Sequence, residues 1–335
     1  MMGTIRKANN MYGLSWILFG IQVLVMNAVM AGETGAVARI RHRFLAVDES
    51  RKFLHFVDEY DRTQDWSVAG NFRDIQLIGD SRVALSDGLG VTIVDLKTKR
   101  MVSEIHPPQA RGTQSFRWQL GDRFLIVAGG VLTTDAAGQV LNKTPLSLGE
   151  RICRTTAEGG WVFGSGAQVK DISKDGKVLA QHTVPGLVRP SIYHVAKRAD
   201  GGYYATSGYG RCAVSLDAGG KVLQRFEYPQ AFFFGGLQVL ANDNLVVANW
   251  AGHGGGDVRD EKKGPQVIEF TPDGKVVWIF RDPEKLGSIH HVIVLDGLDI
   301  ALSHEEVGGK MIPVKNAGAP TTKPETKQII RKETP

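Results

Sequence analysis

The chain has 335 residues, of which 42% are hydrophobic and 22% charged, and it contains only two cysteines. This composition excludes a disordered, a collagenous or a disulfide-stapled protein. The net charge of +5 arises at the two ends, with +2 in residues 1–31 and +4 in residues 310–335, which leaves −1 for the body between them. A near-neutral body argues against binding to a nucleic-acid backbone.

The first 31 residues have the features of an export signal. Arg6 and Lys7 precede an apolar stretch, and small residues stand at the −3 and −1 positions of a cut before Gly32. We therefore predict a signal peptide over residues 1–31 and a periplasmic or secreted mature protein. The alternative is an uncleaved anchor, because a stretch of about 20 apolar residues can span a bilayer. The intact mass of protein from the native host distinguishes the two: a chain that starts near Gly32 supports cleavage, and a chain that keeps Met1 contradicts it.

Two series of turns recur along the body with a period of about 40 residues, the spacing of a repeat architecture. The first series lies between short β-rich runs, at Asp80-Ser81, Asp122-Arg123, Gly159-Gly160, Asp200-Gly201-Gly202, Asn242-Asp243-Asn244 and Asp296-Gly297. The second series follows downstream at residues 96–100, 135–139, 173–177, 217–221 and 271–275. Each turn joins two strands in which apolar residues alternate, which is a hairpin signal. The repeated unit is therefore a four-stranded antiparallel meander.

The units organise the chain into a ring. Five units cover residues 74–105, 115–146, 152–184, 194–228 and 236–281, and a sixth is shared between residues 44–68 and 290–303. Radially repeated four-stranded sheets are typical of a β-propeller, in which circular packing protects the strand edges. We predict an all-β, six-bladed β-propeller closed by pairing of the N- and C-terminal strands, in a single domain over residues 32–311. Seven blades and a linear β-solenoid are the alternatives.

Two details of this prediction stay open. Residues 44–48 and 299–303 both fit the same strand position in the closing blade. Cys153 and Cys212 could pair in an oxidising compartment, but their predicted places on different blades and non-neighbouring strands favour two buried free thiols.

The C-terminal residues 312–335 are rich in Pro, Thr and Lys, which predicts a disordered basic tail. A solvated terminus without a role is one interpretation of this tail. Contact with an anionic cell envelope is the other.

Four strand-turn-strand copies carry a resemblance to a known group. The copies DGKVVW (273–278), DGKVLA (175–180), GGKVLQ (219–224) and AGQVLN (137–142) resemble the repeat of the quinoprotein-like (PQQ-like) propeller superfamily. The stretch NDNLVVANWAGHG (242–254), with VIEFTPDGKVVWIF (267–280), is similar to secreted bacterial propellers of that group without a settled function, and more distantly to arylsulfotransferase-type propellers.

The resemblance covers about residues 44–305 and implies the propeller fold. Quinone-binding members carry a docking Trp in most repeats, whereas here Trp278 alone occupies that position. We therefore predict no quinone and no other cofactor. Arylsulfotransferase-like members place His and Arg around the channel, which draws attention to those residue types here.

In a propeller, the loops before each inner strand and between the second and third strands meet at one mouth of the axial channel, where ligands bind. In this chain these loops carry Arg73, Asp74, Arg111, Arg117, Arg151, Arg154, Arg189, Tyr193, His194, Tyr209, Arg211, Phe232, Phe233, Phe234, Trp250, His253, Asp257, His290 and His291. Arginine provides planar bidentate donors for carboxylate, sulfate or phosphate, and aromatic rings stack on apolar ligand faces. We predict a monomer that binds a small anionic or carbohydrate-like ligand, or a partner, at this mouth, without catalysis.

The predicted ligand-binding residues are Arg73, Arg117, Arg154, Arg211, Trp250, His253 and His291. We expect Arg117, Arg154, His194 and His290 in one cluster, because each lies near the start of an inner strand of a different blade. Arg117 and Arg154 would hold the anion. In the alternative function, a lyase, hydrolase or sulfotransferase-like enzyme, His194 or His290 is the acid or base. For each of these residues, a structural ion pair with a neighbouring blade is the competing interpretation.

The longest insertion lies at residues 249–264 and predicts either a lid over the mouth, carrying His253 and Asp257, or a solvated excursion. These two residues with His290 and His291 lack the tight spacing of a metal site, so we predict no metal. The sequence contains no G-x-S-x-G elbow, no P-loop and no G-x-G-x-x-G between strand and helix. This excludes an α/β serine hydrolase, a P-loop NTPase and a Rossmann dehydrogenase.

Overall fold

The computed structural model describes residues 39–149, 151–252 and 259–314. The chain divides into two compact units, Met1–Ile40 and Arg41–Pro335, and the described residues lie almost wholly in the second unit. The predicted signal peptide lies outside the described residues. None of the helices in the described ranges is long and apolar enough to cross a membrane.

The described residues form 26 strands and three short 3-10 helices, the latter at Arg62–Gln64, Pro108–Ala110 and Glu261–Lys263. Strands β1–β3 are Arg43–Asp48, Phe53–Asp58 and Trp66–Ala69. Strands β4–β7 are Ile75–Gly79, Arg82–Ser86, Val91–Asp95 and Arg100–Ile105. Strands β8–β11 are Ser115–Gln119, Arg123–Val127, Val131–Thr134 and Val140–Thr144.

The second half of the chain continues the pattern. Strands β12–β15 are Arg154–Thr155, Trp161–Ser165, Gln168–Ile172 and Val178–Thr183. Strands β16–β19 are His194–Lys197, Tyr203–Thr206, Cys212–Leu216 and Val222–Glu227. Strands β20–β23 are Phe234–Val239, Leu245–Asn249, Val267–Phe270 and Val276–Phe280. The last three strands, β24–β26, are Ile289–Val294, Ser303–Val307 and Lys310–Val314.

These strands build a six-bladed β-propeller. The predicted all-β class and the blade number are confirmed, and the alternatives of seven blades and a solenoid are wrong. We number the blades around the ring, starting from the blade that contains β1–β3. The inner strands of blades 1 to 6 are then β24, β4, β8, β12, β16 and β20. Blade 1 has the strand order β24-β1-β2-β3, and Phe44 of β1 pairs with Val294 of β24. Closure by the two ends of the chain is therefore confirmed.

Local sequence explains why the meanders form. In the turn between β4 and β5, Asp80 and Ser81 have φ angles of 50° and 58°, the left-handed conformation that matches the twist of a tight hairpin. Large apolar side chains fill the space between blades: Phe44 of blade 1 packs on Trp278 and Phe280 of blade 6, with ring centroids 5.9 Å and 4.9 Å away. Hydrophobic burial between neighbouring sheets thus holds the ring together.

The cysteines behave as the favoured interpretation predicted. Cys153 and Cys212 are both free and buried. Burial raises the pKa of the Cys153 thiol to about 12, so this group is an inert part of the core.

The chain after β24 differs from the prediction that residues 290–303 all belong to the closing blade. Strand β1 takes the position beside β24, because its residues Phe44–Asp48 are buried on both faces, as that position requires. Residues 299–302 instead form a turn, and Ser303 begins strand β25. Strands β25 and β26 form a hairpin that ends at Val314, three residues beyond the expected domain end at 311. The remainder of the predicted tail lies outside the described residues.

The hairpin β25–β26 crosses the axial channel. It starts at blade 2, where Ser303 pairs with Ile78 of β4. Its tip reaches the other side, where the amide of Val239 in β20 donates to the carbonyl of Gly309 at 2.8 Å. Ile78 and Val239 both lie near the ends of their strands. The hairpin therefore closes the mouth opposite to the one formed by the loops that precede the inner strands.

Candidate functional site

Charged and polar side chains from five blades meet inside the axial channel. They lie at or near the starts of the inner strands: Asp74 before β4, Arg117 in β8, Arg154 in β12, His194 in β16 and His291 in β24. All five are buried, with exposures between 0% and 4%. Buried charges need partners, so their mutual contacts decide what this group can do.

Asp74 is the centre of this group. One of its carboxylate oxygens accepts from Nη2 of Arg117 at 2.5 Å and from Nη1 of Arg154 at 3.1 Å, and the other accepts from Nη2 of Arg154 at 3.1 Å. The Ser115 hydroxyl donates to Asp74 at 2.8 Å. Burial alone would raise the pKa of Asp74, but the two guanidinium groups hold it well below its usual range.

A second carboxylate reaches the group from the hairpin. The side chain of Glu306 in β25 is 2% exposed and accepts a hydrogen bond from Nε of Arg154. Its other oxygen lies 2.8 Å from Nε2 of His194. Burial opposes ionisation of Glu306, but Arg154 and His194 lower its pKa below the usual range. The two arginines and the two carboxylates therefore balance each other.

His194 is neutral in this setting. Its Nδ1 accepts from the backbone amide of Leu237 at 3.1 Å, which places the ring proton on Nε2, facing Glu306. Burial, together with the nearby charge of Arg154, lowers the pKa of His194 to about 3. The ring orients Glu306 through a hydrogen bond rather than through a full ion pair.

Acidification should destabilise the protein through His194. Its pKa is about 3 when folded and 6.5 in the reference state, so between these values the unfolded chain binds a proton that the folded chain does not. The contribution to the free energy of unfolding is full above pH 6.5 and falls by about 1.4 kcal/mol per pH unit towards pH 3. Urea unfolding between pH 7 and pH 4.5 should show a shallower pH dependence for His194→Gln than for the wild type. Equal slopes would contradict a neutral buried His194.

His291 completes the inner group from blade 1. Its Nδ1 lies 3.4 Å from an oxygen of Asp74, and its ring lies edge-on to that of His194 with centroids 5.3 Å apart. Blade 6 provides the space for this ring, because a Cβ atom at Gly236 would lie only 2.1 Å from Cδ2 of His291. The sixth inner strand thus contributes a glycine where the others contribute polar side chains.

A second chain of polar contacts lies nearer the mouth formed by the loops that precede the inner strands. Nδ1 of His290 lies 2.6 Å from the hydroxyl of Tyr193, and Nε2 lies 2.8 Å from Oε2 of Glu49, although not aligned as a hydrogen bond. The other oxygen of Glu49 lies 2.9 Å from Nη2 of Arg73, whose Nη1 donates to Gln114 at 2.9 Å. Burial lowers the pKa of His290 despite the attraction of Glu49. Histidine, tyrosine and carboxylate are thus connected within hydrogen-bonding distance of each other.

Aromatic side chains form the wall of the mouth beside His290. The ring of Phe233 lies 5.1 Å from that of Trp250 and 4.8 Å from that of Tyr209, and Trp250 lies 4.9 Å from His290. The side-chain oxygen of Asn249 accepts from the amide of Phe233 at 3.1 Å. Trp250 is 3% exposed, so its ring packs beneath the surface of the mouth and is not available for stacking on a ligand.

Cations cover the outer side of this aromatic wall. The guanidinium of Arg189 lies 4.5 Å above the ring of Tyr209. Nζ of Lys263 lies 3.6 Å and the guanidinium of Arg211 lies 5.5 Å from the ring of Phe232. Arg189 and Arg211 are exposed. These cation–π contacts hold positive charge at the edge of the mouth.

A cavity of about 580 Å³ opens on the same side of the ring, at blade 3. Polar groups of Gln114, Ser147 and Arg151 and apolar side chains of Val127 and Leu148 line it. Gln114 also accepts from Arg73, so a hydrogen bond links the wall of the cavity to the chain of contacts that ends at His290. Its volume lies in the range of small-molecule sites.

The structure brings together some of the predicted site residues and separates others. Arg117, Arg154, His194 and His291 share the inner group, whereas His290 and Arg73 lie in the outer chain, Arg211 and Trp250 belong to the aromatic wall, and His253 lies outside the described residues, as does Asp257. The expected role of Arg117 and Arg154 in an open anion site needs correction. Both are buried and already bound by carboxylates of this chain, so they do not face the mouth.

Sequence reasoning did not find Glu49 and Glu306, which are the partners of His290 and His194. In the described parts of the chain, no group of three or more His, Cys, Asp or Glu is arranged to hold a metal ion.

Comparisons with known proteins support the fold. No family model matches the sequence, and no curated protein matches it. Among solved structures, a protein of unknown function from Bacteroides caccae has a TM-score of 0.60 at 20% identity, covering 76% of this chain and 98% of that one. A streptogramin B lyase has a TM-score of 0.52 at 10% identity, covering 81% of this chain and 93% of that one. The calcium-binding protein regucalcin from Agrobacterium tumefaciens has a TM-score of 0.51 at 12% identity, covering 72% of this chain and 93% of that one.

These neighbours are β-propeller proteins. At such identities the likeness concerns the fold alone. The class that fold and comparisons define is thus the six-bladed β-propeller, with the C-terminal hairpin across one mouth of its channel.

Proposed function

We propose that this propeller binds a small anionic or carbohydrate-like ligand at the mouth of its channel formed by the loops that precede the inner strands, without chemical conversion. The observation that carries the proposal is the cavity of about 580 Å³ lined by Arg151 and Gln114. A guanidinium group and an amide suit a carboxylate and hydroxyl groups, and the apolar walls at Val127 and Leu148 suit the faces of a sugar ring.

The cationic edge of the mouth supports an anionic ligand. Arg189 and Arg211 lie exposed on the aromatic wall, and Arg73 is 26% exposed between Glu49 and Gln114. Positive charge around a concave site raises the local concentration of anions and their rate of association. The proposed ligand class is therefore a sugar acid or a sulfated compound of comparable size.

Replacing Arg151 by Gln should weaken binding of an anionic ligand by about 10- to 100-fold, because a hydrogen bond to a charged group contributes about 1.5–3 kcal/mol. Thermal-shift and calorimetric titrations with uronic acids and aryl sulfates, with neutral glucose as the reference, provide the measurement. The matched control is Arg123→Gln in β9, an exposed arginine at the other end of the strand from Val127. An equal loss in both variants, or no preference for anions, would contradict the proposed site.

Catalysis on an anionic substrate is the second candidate function. It is favoured by the contacts of His290 with Tyr193 and Glu49, which provide a histidine with a carboxylate on one side and a phenol on the other. The same compounds separate the two functions when products are measured after incubation. Stabilisation without turnover supports the binding protein, and turnover that His290→Gln abolishes while binding persists supports the enzyme.

The proposal also includes three points that rest on the sequence. The protein is exported to the periplasm or the exterior, where sugar acids and sulfated compounds are accessible ligands, and its basic tail contacts the cell envelope. From the repeat motifs we also propose a relation to the quinoprotein-like propellers, with a more distant likeness to arylsulfotransferases.

A further inference from the structure

The side chain of Glu306 is held like a bound ligand. Its two oxygens face two different blades, with Nε of Arg154 on one side and Nε2 of His194, at 2.8 Å, on the other. Both donors are fixed by other contacts, because Arg154 also donates to Asp74 and His194 accepts from the backbone amide of Leu237. Donors fixed in advance on separate rigid strands are the arrangement that recognises a carboxylate.

The segment that carries Glu306 has few ladder contacts with the ring. Strand β25 pairs with β4 through Ser303 and Ile78, and a side-chain hydrogen bond from Gln76 to the carbonyl of His304 adds to this pair. At the tip, the Val239 amide binds Gly309. By comparison, β4 pairs with β5 over the length of the strand. The carboxylate therefore belongs to an added element, while its receptor belongs to the blades.

Charge balance explains why the receptor is occupied. Arg117 and Arg154 face Asp74 from the blades, which leaves one positive charge that the hairpin carboxylate neutralises among the described residues. An uncompensated buried guanidinium is strongly unfavourable. With the Glu306 carboxylate absent, the pocket would attract another anion of the same shape.

We propose that Arg154 and His194 form a carboxylate-binding site in the channel, that Glu306 of the C-terminal hairpin is its internal occupant, and that a free carboxylate can replace it. This site lies deeper than the proposed ligand site at the mouth and does not depend on it. A ligand or peptide carboxylate that displaces the hairpin would thereby open the second mouth of the channel.

Rescue of Glu306→Ala by acetate tests the proposal, because acetate is the fragment that this substitution removes. In chloride the variant should unfold at a lower temperature than the wild type. At acetate concentrations ten times the dissociation constant, the midpoint should rise by about 3 °C relative to chloride of equal ionic strength. The wild type and Glu306→Gln, whose pocket stays filled, should not respond. If the variant is unfolded in chloride, circular dichroism should show refolding that depends on acetate.

Two further measurements, with propionate and with a double variant, complete the test. Propionate should be less effective than acetate, because the vacated space matches two carbon atoms. The double variant Glu306→Ala/Arg154→Ala should lose the response. Equal effects of acetate and chloride, equal effects of acetate and propionate, or an unchanged response in the double variant would overturn the proposal. Because the wild type and Glu306→Gln keep the mouth unchanged, binding of acetate at the mouth would raise their midpoints as well as that of Glu306→Ala. The proposed function can therefore fail while this site stands, and the reverse.

Discussion

Ending the chain before Ile289 should abolish cooperative folding. The truncation removes β24, the inner strand of blade 1, together with the hairpin β25–β26, and leaves β1 with an open edge on the channel side. All six residues of β24 are buried, four of them aliphatic. Burial of four such side chains contributes about 6–12 kcal/mol, which is comparable with the total stability of about 5–15 kcal/mol for a typical protein. Thermal unfolding followed by circular dichroism and calorimetry is the measurement.

A control truncation separates ring closure from mere shortening. A chain that ends after Val314 keeps each strand of the described structure, so we expect its midpoint to match that of the full-length protein. A sharp, unshifted transition in the chain that ends before Ile289 would mean that the ring needs neither β24 nor the hairpin, and closure by the chain ends would then be wrong.

The fold was predictable because its determinants are local. Turns such as Asp80-Ser81 combine residues that tolerate a left-handed backbone with flanking β-rich runs, and both signals are visible in a single sequence. The split blade followed from the complementary ends of the repeat series. The hairpin β25–β26 was missed, although Gly308-Gly309 between two β-rich runs is a turn signal of the same kind. Its sheet partner is a single residue pair on β4, more than 200 positions away, and no local pattern encodes such a contact.

The candidate site was less predictable, because a site depends on partners as well as on positions. Of the four residues expected in one cluster, Arg117, Arg154 and His194 share the inner group, whereas His290 lies in the outer chain with Tyr193 and Glu49. Their predicted function as open anion binders assumed that their charges were free. The carboxylates that neutralise them come from Asp74, which was noted only as a loop residue, and from Glu306 in the missed hairpin. Successive side chains of a strand point in opposite directions, which explains why His290 and His291, adjacent in β24, belong to the outer chain and the inner group respectively.

Replacing Asp74 by Asn should lower the free energy of unfolding by about 3–5 kcal/mol, the usual effect of removing one partner from a buried ion pair. Asn preserves the volume but removes the charge that two buried guanidinium groups share. Urea unfolding at pH 7, where the carboxylate of Asp74 is ionised, measures the loss. The matched control is Asp80→Asn: this carboxylate is 80% exposed beside Arg82, so we expect less than about 1 kcal/mol.

The expected loss is large because Asp74 joins blades that are otherwise separate sheets. Its carboxylate binds Arg117 of blade 3 and Arg154 of blade 4 from its own place at blade 2, so a single side chain ties three inner strands around the channel. Arg154 in turn holds Glu306, and so the hairpin, in place. Asp74→Asn should therefore also increase hydrogen exchange at the amides of β25 more than at those of the outer strand β7. A loss below 1 kcal/mol with unchanged exchange in β25 would show that the channel charges are hydrated and independent, and the network would then have no structural role.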